Sequence, residues 1–179
     1  MMFTDIRNFT TFSEELSPNV LAEALGKYLE VMVDVIHHEN GGTIDKFIGD
    51  AIMAIWNAPS PMQNHAQAAC RAALGCLKAS NALSESSSWK GLPLFHTRFG
   101  LHKDRVMVGH FGAPNRMNFT AIGDGVISPP VSKVLTSNTT PRSLSVKPSA
   151  KTQKNFFNFV FLIGWPSRER VRESRSMNC

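Results

Sequence analysis

Two aspartates offer the clearest chemistry in this sequence. Asp50 stands in GGTIDKFIGDAIMAIWNAP between two apolar, β-branched runs, and Asp5 stands in MMFTDIRNFTTFS, surrounded by Phe3, Ile6 and Phe9. Two carboxylates at neighbouring strand ends, with no His or Cys at ligand spacing to join them, favour a hard, oxygen-seeking ion such as Mg²⁺ or Mn²⁺ and a substrate that brings its own phosphates. In a site with two ions, one activates an attacking hydroxyl and the other steadies the leaving oxygens. Taken singly, each acid also has an ordinary reading: Gly-Asp is a common turn pair, and Asp5 can sit in a solvated turn or cap the helix that follows it.

The elements that must position these acids follow from periodicity. Thr43 to Phe47 and Ala51 to Trp56 alternate with the period of two expected of strands. Ile48, Gly49 and Asp50 lie between them as a hairpin turn, in which Gly49 supplies permissive backbone. Asp50 is thereby held on rigid flanks, which suits a metal ligand better than a free loop. Ser17-Pro18 starts a helix with a capping hydroxyl and proline at the first helical position. Leu21, Leu25, Tyr28, Leu29, Met32 and Ile36 form its apolar face, and it ends near Asn40-Gly41. After the hairpin, which Pro59 and Pro61 stop, His65 to Leu83 reads as a second helix with Ala66, Ala69, Ala73, Leu74 and Leu77 inward. Ser84 to Ser88 is a polar loop, and Leu94 to Leu101 and Val106 to Phe111 read as another pair of strands. His65 and the pair His37-His38 have no partners at ligand spacing and read as structural. The order strand, helix, strand, strand, helix, strand, strand predicts an α+β, ferredoxin-like sandwich with helices on one face of an antiparallel sheet.

Composition sets the outer limits. A chain of 179 residues with 42% hydrophobic content is expected to form one domain with a real core. It has no signal peptide pattern and no apolar run of spanning length. Cys70, Cys76 and Cys179 have neither metal-ligand spacing nor an even count, so a reduced, cytoplasmic setting is expected. The net charge of +5 is unevenly placed: residues 1–126 carry ten Lys/Arg against twelve Asp/Glu, and residues 127–179 carry nine against two. All the excess positive charge sits in the tail.

Four motifs in order, FTDIRNFTTFSE, DKFIGDAIMAIWNAP, RFGLHKDRVMVGHFG and RMNFTAIGD, strongly resemble the catalytic domain of the class III adenylate and guanylate cyclases from Phe3 to about Val126. The resemblance implies the same sandwich fold, here with its C-terminal part missing or disordered. It also implies attack of a ribose 3′-hydroxyl on the α-phosphate to give a cyclic nucleotide and pyrophosphate. Asp5 and Asp50 match the family's metal-binding aspartates, with the Ile6 carbonyl as a further ligand to the Mg²⁺ or Mn²⁺ pair. Phe9 and Thr10 match the stretch whose backbone N–H groups hold the phosphates, at the start of a helix. Asn8 replaces the family's usual Gly, and Asn is the next-best residue for positive φ. Arg98 falls where the family places an arginine on the terminal phosphates. Lys46 occupies the position that chooses the base, as a lysine in adenylate cyclases and an acid in guanylate cyclases. Thr120 takes the partner position, where a hydroxyl can accept from the adenine amino group. Lys46 with Thr120 therefore implies ATP. The family pattern draws the base-selecting residues from one subunit and the aspartates from the other, which implies a head-to-tail homodimer or a heterodimer with another cyclase domain.

The resemblance breaks after Gly125-Val126. Where the family has an Asn and, four residues later, an Arg on a helix, this chain has Ile127 and Val131, with Pro129 and Pro130 between them. A proline pair forbids that helix, and neither replacement donates a hydrogen bond to ribose or phosphate. Restoring one nucleotide before codon 127 lets the adjacent frame of Ile127 to Ser145 read NLASRLEGLNKQYNTKIIV, and that of Ile163 to Glu169 read RVAVKG. Both match the cyclase pattern. The expectation is a partial cyclase domain over 1–126 and an aberrant, disordered basic tail over 127–179 that leaves the sheet without its last strands. Asn155 to Trp165 is a stretch of that tail able to pair locally as a strand, but too short to span a bilayer. Little or no turnover is then expected of the chain as written. Met1 falls within the first strand of the pattern, so further residues are expected upstream, where regulatory or membrane segments could lie.

Two other classes compete with this reading. A non-catalytic, nucleotide-binding partner of another cyclase subunit would not need both Asp5 and Asp50. A basic module binding nucleic acid or anionic membrane through the tail would be expected to interleave aromatic platforms with its Arg and Lys. The tail does not, so no nucleic-acid partner is expected.

Overall fold

The computed structural model describes residues 1–127 and 160–163. Its strands are β1 (Met2–Ile6), β2 (Thr43–Ile48), β3 (Ala51–Ile55), β4 (Thr97–His102), β5 (Met107–Ala113), β6 (Arg116–Ile122) and β7 (Val160–Ile163). Its α-helices are α1 (Phe9–Glu15), α2 (Pro18–Val33), α3 (His65–Glu85) and the single turn α4 (Asp124–Ile127). The main sheet is ordered β2-β3-β1-β4-β7, every described pairing in it is antiparallel, and β5 and β6 form a separate hairpin. Strands β1 to β4 with α2 and α3 thus have the ferredoxin-like arrangement expected from the sequence.

Alternation along the strands sorts the core into two layers. Met2, Ile6, Ile52, Ala54, Phe99 and Leu101 pack with Tyr28, Met32, Ala69, Ala73 and Cys76 of the helices. Phe3, Met53 and Ile55 point to the other face, where Ala121, Phe119, Val106 and Val108 of the β5–β6 region cover them. The helix layer is polar only where a partner is present: Tyr28, fully buried, shares a 2.8 Å hydrogen bond with the Thr97 hydroxyl.

Several details depart from expectation. Ser17 occupies the N-cap of α2, yet its side chain makes no capping bond; Pro18 alone marks the start. The helix continues as a π-helical turn over Asp34–Glu39 before Gly41, at φ 63°, ends it. In α3 the buried stripe is Ala68, Ala69, Ala72, Ala73, Cys76 and Ser80, while Ala66 and Leu74 are exposed. The small residues face inward because α2 and the π-helical turn lie close; a Cβ on Gly75 would come within 2.8 Å of Val35. Residues 84–88 are no simple loop, since α3 runs to Glu85 and a 3₁₀ turn covers Ser87–Trp89. The last two expected strands do not pair with each other: β4 lies between β1 and β7, and β5 pairs with β6.

Val160–Ile163 lies antiparallel to β4, with Phe99 opposite Ile163 and His102 opposite Val160. Part of the 155–165 stretch, read from the sequence as able to pair locally, thus supplies a fifth strand. The Pro129-Pro130 break, Val131, the basic character of the tail and Cys179 lie outside the described residues. Among the described residues no helix is long and apolar enough to cross a membrane.

Candidate active site

The sheet register builds the first half of the site. Pairing of β1 with β4 sets Asp5 directly opposite Arg98, so both side chains rise on the same face. Arg98 Nε donates to Asp5 Oδ2 at 2.8 Å and Arg98 Nη2 donates to the same oxygen. On its other side β1 pairs with β3 through Met2–Ala54 and Phe3–Met53. Beyond Phe3, side chains take over from the ladder. The Ile52 N–H donates to Thr4 Oγ1 at 2.9 Å, and the Ile6 N–H donates to Asp50 Oδ2 at 2.8 Å. The two acids meet because the strands part there and the hairpin turn, with Gly49 at φ 62°, carries Asp50 into the gap.

Asp5 is held above the ordinary carboxylate range, mainly by burial, and the nearby Asp50 charge adds to this while the Arg98 guanidinium opposes it. The side chains of Asp5 and Arg98 are only 14% and 19% exposed. A divalent cation fits this environment: it would offset the poorly exposed Asp5 carboxylate and the nearby Asp50 charge, which the Arg98 guanidinium beside Asp5 offsets only in part. Among the described residues no group of three or more His, Cys, Asp or Glu is placed to hold a metal. Asp5 and Asp50 could supply at most an oxygen-only, partial shell, the kind Mg²⁺ completes with water and substrate phosphates.

Next to this cluster, Asn8 adopts φ 58°, as expected of the residue standing in for Gly, and α1 begins at Phe9. The Phe9 ring meets Phe95 edge-on with centroids 6.4 Å apart, which fixes the start of the helix against the core. N–H groups in a first helical turn have no intrahelical acceptor. Phe9 and Thr10 stand there, with Thr10 exposed and its carbonyl accepting from Ser13 Oγ at 2.7 Å.

Lys46 and Thr120 form a second cluster, and a residue that sequence reasoning passed over joins them. Asp45 accepts from Thr120 Oγ1 at 3.0 and 2.7 Å, from the Ala121 N–H at 3.1 Å, and lies 3.3 Å from Lys46 Nζ. Its side chain is 0% exposed, whereas that of Lys46 is 41% exposed. The β2–β3 register shifts between Ile44 and Lys46. The available signal was a carboxylate inside a β-branched run, where an acid without a partner is disfavoured. Lys46 lies opposite Met53, and Met53 opposite Phe3, with Asp5 further along β1. A cavity of about 410 Å³ lined by Met1, Trp56, His65 and His102 lies at the other end of β1 and contains none of the candidate residues.

His37 Nδ1 and His65 Nδ1 are hydrogen-bonded to the carbonyls of Gly42 and Met62, in agreement with their structural reading. Cys76 is a buried, free thiol.

Comparison with known proteins gives the chain its family and fold relatives. The family profile described as the adenylate and guanylate cyclase catalytic domain matches residues 1–161. Adenylate cyclase 1 of Rhizobium meliloti is 42% identical over 125 residues, which cover 70% of this chain and 19% of that protein. The chain thus spans about a fifth of the length of that relative. Among solved structures, the guanylyl cyclase Cya2 superposes with a TM-score of 0.70 at 23% identity, covering 97% of this chain and 95% of that one. The adenylyl cyclase CyaB from P. aeruginosa gives 0.68 at 25% identity, with 95% of each chain covered.

Proposed function

We propose that this chain, which belongs to the adenylate and guanylate cyclase catalytic domain family, is an adenylate cyclase domain that binds ATP with two divalent ions and is built to close it to 3′,5′-cyclic AMP and pyrophosphate. The observation that carries this reading is the convergence of Asp5 and Asp50 at the Ile6 end of β1.

Asp5, Asp50 and the Ile6 carbonyl would hold Mg²⁺ or Mn²⁺, which supplies Lewis-acid activation of the ribose hydroxyl and neutralises phosphate charge. The Phe9 and Thr10 N–H groups bind phosphate oxygens at the start of α1. Arg98, which pairs with Asp5 here, would bind the terminal phosphates, and a cation held by the carboxylates would supply the charge compensation that Arg98 gives Asp5. Lys46, a donor, faces a ring nitrogen of adenine, and Thr120 accepts from its amino group. Phe47, Ile48, Met107, Met117 and Ile122 are each about half exposed or more; such apolar surface favours a head-to-tail dimer in which one subunit supplies the base contacts and the other the aspartates. The domain so used covers residues 1–126 and works in the cytoplasm.

Ile127 and Val131 replace the polar pair that would act late in the reaction, so the chain binds ATP and turns it over poorly. Equilibrium binding of ATP and GTP with Mn²⁺, together with cyclic AMP formation, tests the reading. ATP is expected to bind more tightly than GTP, with cyclic AMP near background. Equal affinity for the two nucleotides contradicts the choice of base, and turnover at the rate of an intact cyclase contradicts the reading of the tail.

A further inference from the structure

We infer that Asp45 is a positioning residue that sets base preference by fixing the direction of the Thr120 hydroxyl; this rests on the proposal that Lys46 and Thr120 face the base. A threonine hydroxyl is ambivalent: it has one proton to donate and lone pairs that accept. Left free to rotate, it can accept from the amino group of adenine or donate to the carbonyl oxygen of guanine, and it discriminates poorly.

Asp45 removes that freedom. Its carboxylate only accepts, and the Thr120 hydroxyl lies 3.0 and 2.7 Å from its two oxygens. The single hydroxyl proton is committed inward, so Thr120 presents only lone pairs to a base. That matches an amino group and repels a carbonyl oxygen. The Ala121 N–H, 3.1 Å from Asp45 Oδ2, and Lys46 Nζ, 3.3 Å from Oδ1, hold the carboxylate in place.

The backbone irregularity explains how one strand supplies both groups. Neighbouring residues of a regular strand face opposite sides, but a bulge sets two residues against one on the partner strand. The register shift between Ile44 and Lys46 leaves Asp45 as the extra residue, and it turns toward β6 on the face to which Lys46, opposite Met53, also belongs. A carboxylate serving only to latch the β5–β6 hairpin to the sheet would affect ATP and GTP alike.

The test measures Mn²⁺-dependent binding of ATP and of GTP to the full chain and to Asp45→Ala, Asp45→Asn, Thr120→Val, Thr120→Ser and the double variant Asp45→Ala/Thr120→Val, each checked for folding by circular dichroism. Asp45→Ala is expected to reduce the ATP-over-GTP preference about tenfold, the worth of one directed hydrogen bond. Asp45→Asn, whose amide can donate to the hydroxyl, shifts it in the same direction and decides the matter if the alanine variant does not fold. Thr120→Ser keeps the preference, and in the Thr120→Val background the change at Asp45 has no further effect on it. Equal loss of both nucleotides in the Asp45 variants, or an unchanged preference in Thr120→Val, overturns the role of Asp45 while leaving the ATP reading intact. A wild-type chain without preference overturns both.

Discussion

The Asp50 carboxylate accepts the backbone N–H of Ile6 at 2.8 Å, tying the tip of the β2–β3 hairpin to the end of β1. This bond does two jobs: it satisfies a strand donor that β3 no longer reaches, and it places a second acid beside Asp5. The two jobs separate on substitution. Asp50→Asn retains an acceptor for the N–H and is expected to leave stability nearly unchanged, whereas Asp50→Ala strands the donor and costs about 1–3 kcal/mol. Urea unfolding of the two variants checks this, and equal destabilisation would show that charge, not the hydrogen bond, holds the hairpin tip.

His102 gives the fold a dependence on pH. The residue is 6% exposed, neither ring nitrogen has a hydrogen-bond partner among the described residues, and Nε2 lies 3.6 Å from Asp104 Oδ2, too far for a hydrogen bond. Burial holds its pKa below the ordinary value of 6.5, with Asp104 pulling the other way. Because the unfolded chain binds the proton more readily, His102 contributes stability that is present above pH 6.5 and is lost as pH falls through its depressed folded pKa. Thermal unfolding between about pH 8 and about pH 5 should show a steeper acid loss for the wild type than for His102→Gln; parallel curves would contradict it.

The short Asp45–Lys46 contact constrains any exchange of base preference. Lys46→Glu alone sets a second carboxylate beside a fully buried one, and like charges that close are costly. It is expected to lose ATP binding by about tenfold or more without gaining GTP. Gain of GTP should require Asp45→Asn in the same chain. Titrations of both nucleotides against the single and double variants check this, and a strong gain of GTP in Lys46→Glu alone would contradict the crowding argument.

The reading frame can be tested in the same terms. A chain rebuilt by adding one nucleotide before codon 127 regains the donors that Ile127 and Val131 lack. One oriented donor to developing charge is worth about 10²–10³ in rate, so the rebuilt chain is expected to exceed the chain as written by at least that factor in cyclic AMP formation. Equal rates would sink the frame explanation.

Much of this was legible in the sequence because it rests on local signals. The hairpin and the two long helices follow from alternation, turn chemistry and period, while the positive φ of Asn8 was expected through the resemblance, in which it replaces a Gly. Asp5 and Asp50 could be paired in advance through the resemblance, which orders segments that lie far apart in the chain. What stayed hidden depends on register. The Asp5–Arg98 ion pair arises because β1 and β4 align those residues, and no single-strand pattern fixes an alignment between strands. Asp45 escaped for a related reason: strict alternation places it opposite in facing to Lys46, and the bulge that brings them together leaves no mark in residue type. The inward stripe of α3 was misjudged at Leu74 because close packing against the π-helical turn selects small residues over large ones, and at Ala66, whose exposure its size does not explain.

The most direct test of the central claim is the affinity of the full chain for ATP with and without Mn²⁺, measured beside Asp5→Asn and Asp50→Asn. The account predicts that manganese tightens ATP binding to the wild type and that either substitution removes most of that gain while the fold persists. Tightening by manganese that survives in both variants, or its absence in the wild type, would contradict the claim that these two carboxylates hold the ions.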